Sequence, residues 1–118
     1  MAKTIRREQV LKEAWLGDAV LCLYARRRIL CEDGGIEAAK CTRMTSNRFL
    51  SAVGEASEVE AEIGRVYAGE GLEAAFAWIE RKLMPVFERQ ENKRERNTGM
   101  NPASRGKVAR APTRSSPR

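Results

Sequence analysis

A chain of 118 residues, 42% of them apolar, has room for one domain with one modest core and no second functional module. Fourteen cations balance fourteen acids over residues 1–90, whereas residues 91–118 hold eight cations and two acids, so the whole excess of +6 lies in the final segment. With no histidine in the chain, a serine or cysteine hydrolase lacks its usual base, and "EDGG" and "GEG" fall short of a phosphate-binding loop; carboxylate and metal chemistry remain, or no chemistry at all.

Residues 7 to 30 carry Val10, Leu11, Ala14, Leu21, Cys22, Ala25 and Ile29 at the spacing of a helix packed on one side. Two glycines in "EDGG", 32 to 35, predict its end. A second helix is expected over Ile36 to Met44. "TSN" at 45 to 47 offers an N-cap for a third, with Phe49, Leu50 and Val53 as its buried residues. Ala56, Val59, Ile63, Val66 and Tyr67 predict a fourth, broken by "AGEG" at 68 to 71. Leu72, Ala75, Phe76, Ile79, Leu83 and Phe87 form the stripe of the last, with Pro85 expected to kink it or to start a new turn. No alternating run is long enough for a sheet, so the expected fold is all-α, with four or five helices.

The final segment, "ENKRERNTGMNPASRGKVARAPTRSSPR", has three prolines and no aromatic residue, and is expected to be a disordered tail following a helical domain over residues 1–90. Its dispersed cations suit phosphates or an acidic surface. Cysteines at 22, 31 and 41 match neither a zinc cluster nor a secreted disulfide frame and point to reduced thiols. The start "MAKTIRREQVL" has no apolar signal core and no apolar run reaches eighteen residues. The expectation is a cytoplasmic protein without a membrane partner, organelle import being the alternative that "MAKTIRR" leaves open.

Two acids interrupt apolar lines. Positions 11, 14, 18, 21 and 25 share one helix face and read Leu, Ala, Asp, Leu, Ala, while positions 56, 60, 63 and 67 read Ala, Glu, Ile, Tyr. An unpaired carboxylate on such a face would cost several kcal/mol in desolvation or take up a proton. Asp18 and Glu60 are therefore candidates to meet where their helices cross, and Gly17 and Gly64 beside them add no side chain to hold the crossing apart. Two carboxylates without histidine or thiol favour a hard ion, magnesium or manganese, which can orient water for attack on a phosphodiester. The alternative is that Asp18 pairs with a cation such as Arg43 or Arg48 while Glu60 faces solvent.

"EAWLGDAVLCLYARRRIL" (13–30) resembles the signature helix of ribonuclease III domains, in which an acidic residue follows Leu-Gly and precedes Ala-Val. "TSNRFLSAVGEA" is similar to the family's segment in which Ser-Asn opens a helix, and "ASEVEAEIGRVYAGEGLEAAFAWIERKLMP" to its late acidic helix, glycine turn and final helix. The three cover roughly residues 8 to 88. By this resemblance Asp18 and Glu60 fall on the family's metal-binding aspartate and glutamate. Full-length bacterial members carry two further acids where this chain has Ala14 and Ser57; a small residue and a hydroxyl residue at those places are features of the compact Mini-III subclass, which "EAWLGDAV" resembles most. The family's additional helix and substrate loop are missing, since Asn47 and Glu60 are only thirteen residues apart, and residues 46 to 67 could run as one continuous or kinked helix.

The resemblance implies a homodimeric, magnesium-dependent endoribonuclease acting on double-stranded or structured RNA in RNA processing, with Asp18 and Glu60 as catalytic metal ligands, manganese being the alternative ion. Arg26, Arg27, Arg28, Arg43, Arg48, Lys93, Arg94, Arg96, Arg105 and Lys107 are the candidate phosphate contacts. The shortened core and basic tail equally suit a noncatalytic relative serving as an RNA-binding or structural component of a ribosomal particle or RNA-processing complex.

Overall fold

The computed structural model describes residues 2–98. They form six helical segments and no strand: α1 (Ala2–Asp33), α2 (Ala38–Thr45), α3 (Asn47–Ser51), α4 (Ala56–Glu70), α5 (Leu72–Lys82) and α6 (Met84–Thr98). The all-α expectation holds. No helix among the described residues is long and apolar enough to cross a membrane, and Cys22, Cys31 and Cys41 are free thiols.

Helix α1 ends where "EDGG" predicts. Gly34 takes φ 75° and donates its N–H to the Leu30 carbonyl at 3.1 Å, closing the last turn in a conformation that side chains with a Cβ resist. The Ser46 hydroxyl caps α3 by accepting from the Phe49 N–H at 3.1 Å. The stretch from α3 to α4 is not a continuous helix. After Ser51 the Val53 and Gly54 N–H groups both turn back to the Leu50 carbonyl, and the Glu55 carboxylate restarts helix by accepting from the Glu58 N–H at 3.0 Å.

The single expected last helix is two. Pro85 lacks the N–H that a continuous helix would need and sits in the first turn of α6, where that donor is dispensable. Helix α6 then runs to Thr98, eight residues into the stretch assigned to the tail; residues 99–118 lie outside the described residues. A long-range ion pair holds that extension down, because the Arg43 guanidinium donates from Nε and an Nη to the two Glu91 oxygens at 2.7 and 2.9 Å.

The core collects Leu21, Ala25 and Ile29 of α1, Met44 of α2, Phe49 and Leu50 of α3, Ile63 of α4, Ile79 of α5 and Phe87 of α6. Phe49 and Phe87 meet edge to face at 5.5 Å, as do Tyr24 and Phe76 at 5.4 Å. Polar struts complete the frame. Tyr24 donates its hydroxyl to Glu80 at 2.9 Å, and Arg28 bridges Glu32 and Glu88, each at 2.9 Å.

The predicted core line of α1 holds at Ala14, Leu21, Ala25 and Ile29, and departs at Leu11 and at Asp18, whose buried place is taken by Gly17. Ala14, Gly17, Leu21 and Ala25 are buried, while Leu11 and Asp18, expected on that line, are exposed and Val10 and Cys22 are half-buried. Val53 and Tyr67, also expected inside, are exposed at the ends of short segments.

Candidate carboxylate site at a glycine crossing

Helices α1 and α4 cross backbone to backbone. A Cβ built on Gly17 would stand 2.9 Å from the Gly64 nitrogen and closer still to the Glu60 carbonyl oxygen; one built on Gly64 would collide with the Glu13 carbonyl and lie 3.2 Å from the Gly17 nitrogen. Ala14 and Ala61, both buried, flank this approach with the smallest available side chains. No other pair of residues would let the two helices come so near.

The approach brings Asp18 and Glu60 together. Asp18 lies one residue beyond Gly17 at the edge of the crossing, and half-buried Glu60 lies one turn before Gly64. Their carboxyl groups are within hydrogen-bonding reach, a protonated Glu60 donating to Asp18. Burial first, then the bond to Asp18 and the negative charges of Asp18 and Glu55, push the Glu60 carboxyl up to about 7. In neutral solution without a cation Glu60 is therefore protonated in about half of the molecules.

The folded Glu60 holds its proton more tightly than an unfolded glutamate does. Its contribution to stability is therefore complete below the ordinary value of 4.5 and is lost as pH rises through about 7.

The surroundings limit what else can join. Glu13 on α1 is engaged by Arg65, which donates to it at 2.7 Å and also to Glu62 at 2.7 Å. Hydrogen bonding from Gln9, ahead of Arg65, holds the Glu13 carboxyl below the ordinary carboxylate range. Cys22 stands one turn after Asp18 on α1, and burial, then the Asp18 charge, pushes its thiol up, keeping it protonated. Among the described residues no set of three His, Cys, Asp or Glu side chains is placed to hold a metal ion.

The alternative pairing of Asp18 with Arg43 or Arg48 is not found among the described residues: Arg43 is engaged by Glu91, and Asp18 makes no ion pair. Neither the Glu13–Arg65 strut nor the Cys22 thiol was foreseen as part of this site. The one sequence signal for Cys22 was its four-residue spacing from Asp18; partners fifty-two residues apart, such as Arg65 and Glu13, leave none.

The candidate phosphate contacts scatter. Arg26 is exposed, one turn beyond Cys22, and its charge is felt at that thiol together with those of Asp18 and Glu60, so it lies on the carboxylates' side of α1. Arg27 is stacked over the Phe76 ring at 5.5 Å. Arg28 and Arg43 are consumed in internal ion pairs, a role that opposes their assignment as open phosphate contacts. Arg48, Lys93 and Arg94 line one cleft, and Arg96 is exposed on α6. Arg105 and Lys107 lie outside the described residues. No protein family, curated protein or solved structure matches this chain.

Proposed function

We propose that the protein is a metal-dependent endoribonuclease of the ribonuclease III type, hydrolysing double-stranded RNA at the Asp18–Glu60 pair. The observation that carries this reading is the meeting of the two acids across the Gly17–Gly64 crossing. Such a pair is costly to hold unless something cationic shares it.

The donor set fits a hard divalent cation. Asp18 and Glu60 would hold magnesium or manganese through oxygen, and magnesium, which keeps several of its waters, does not need an all-protein cage. Such an ion, when bound, polarises the phosphodiester and activates water for hydrolysis. The chain's own part is to present the oxygens. The glycine crossing sets Asp18 and Glu60 side by side, and Glu60 would give up its proton on taking up a cation.

A dimer belongs to this reading, since each protomer would cut one strand. Leu16, Leu23 and Leu30 recur every seven residues along α1 and are 40%, 42% and 53% exposed, a stripe of the kind that pairs with a second helix.

Purified protein incubated with duplex RNA is expected to cleave it with magnesium or manganese and to stop on chelation. Binding without cleavage at any metal concentration would favour the second reading, a noncatalytic RNA-binding component. That reading has its own support: Ala14 and Ser57 leave the site with two acids instead of four.

A further inference from the structure

Three clefts among the described residues differ in charge. One, between α1, α5 and α6, sets Arg27 and Arg28 against Glu32, Glu80 and Glu88. Another, between α1 and the start of α4, sets Arg6 and Arg7 against Glu55 and Glu58. The third, of about 580 Å³ between the α2–α3 corner and α6, carries four cations, Arg43, Arg48, Lys93 and Arg94, against the single acid Glu91.

That acid is spent on Arg43, so the floor is a neutral ion pair beneath a cationic rim. Arg48 and Lys93 are exposed on opposite walls and make no ion pair among the described residues. Gln90, Lys93, Arg94 and Asn97 follow one another on a single face of α6, a run of donors about 10 Å long. Phe49 and Phe87 also line it, but they are buried and offer no ring face for stacking, so a base cannot be held there by its π-surface.

We propose that the cleft between α3 and α6 is a phosphate-backbone cradle for RNA, with Arg48 and Lys93 as its contacts and the Arg43–Glu91 pair as its fixed floor. It rests on the RNA reading given above, but not on cleavage. Two cations on facing walls, with amide donors along one of them, suit successive phosphates of one strand and carry no means of reading sequence. Such a cradle would hold a duplex whether or not the carboxylate pair acts on it.

The experiment measures binding of the full chain to a short RNA duplex in chelator, across a salt series. Wild-type affinity should fall linearly on logarithmic axes. Arg48→Ala and Lys93→Ala should each weaken binding several-fold and lower the salt slope by roughly 0.7–0.9. Glu91→Gln should tighten binding, by removing the one negative charge in the cleft.

Unchanged affinity and slope in the Arg48→Ala/Lys93→Ala double variant would overturn the proposal, as would weaker binding by a folded Glu91→Gln protein. Polyglutamate competing as well as RNA would overturn it in favour of an acidic protein partner. Duplex binding that depends on Arg48 and Lys93, in a protein that cleaves with no metal, would sustain the cradle while removing the nuclease; metal-dependent cleavage with binding indifferent to both cations would do the reverse.

Discussion

Gly17→Ala is expected to destabilise the fold by about 2–4 kcal/mol, a fall in Tm of roughly 10–25 °C for a domain of this size. The new Cβ meets backbone atoms of Glu60 and Gly64, which cannot rotate away as a side-chain tip would. Relief requires α1 and α4 to separate, opening the packing of Ala14 and Ala61 as well. Gly64→Ala should do the same from the other side, because its Cβ meets the Glu13 carbonyl. Gly35→Ala is the control, since a Cβ at Gly35 meets nothing within 4 Å. Thermal unfolding of the three variants checks this; Gly17→Ala melting with wild type would mean that the helices do not touch through their backbones.

Asp18→Asn and Glu60→Gln have the opposite profile. Each should lower metal-dependent cleavage of duplex RNA by at least about a hundredfold, because losing even an outer partner of a metal site commonly costs ten- to a hundredfold. Neither should lower stability in chelator above pH 7, where Glu60 has lost its proton and repels Asp18 and a neutral isostere removes that repulsion. Single-turnover cleavage and melting curves on the same preparations separate the two effects. Cleavage that survives both substitutions would move the chemistry elsewhere.

The contrast between these variants shows what was legible in the sequence. Helix positions followed from apolar spacing and from "EDGG", "TSN" and "AGEG", because those signals are local and act through backbone geometry. The place of Asp18 did not. A stripe drawn through side chains passes over Gly17, which contributes no hydrophobicity, and so assigned to Asp18 the buried position that Gly17 holds. Asp18 is instead at the rim, where an acid can meet both Glu60 and solvent.

Cations were harder to read than acids. Nothing in "TRMTSN" announces that Arg43 is matched by Glu91, forty-eight residues later, or that Arg28 is shared by Glu32 and Glu88. Charge runs taken as open contacts therefore divided into struts and rim residues only once the helices were packed. The same pairing explains the longer α6: residues 91–98 have too little apolar content to predict order alone, and the Arg43–Glu91 bridge ties their start to α2.

On this reading the glycine crossing makes Asp18 and Glu60 one site, able to take up a proton or a cation. An NMR titration of the Glu60 side-chain carboxyl carbon, with and without magnesium, in wild type and Asp18→Asn, tests it. The predicted midpoint is near 7 in the metal-free wild type, lower in Asp18→Asn, and lower again in wild type when magnesium competes with the proton. A midpoint at the ordinary value of 4.5, indifferent to magnesium and to the loss of Asp18, would contradict it.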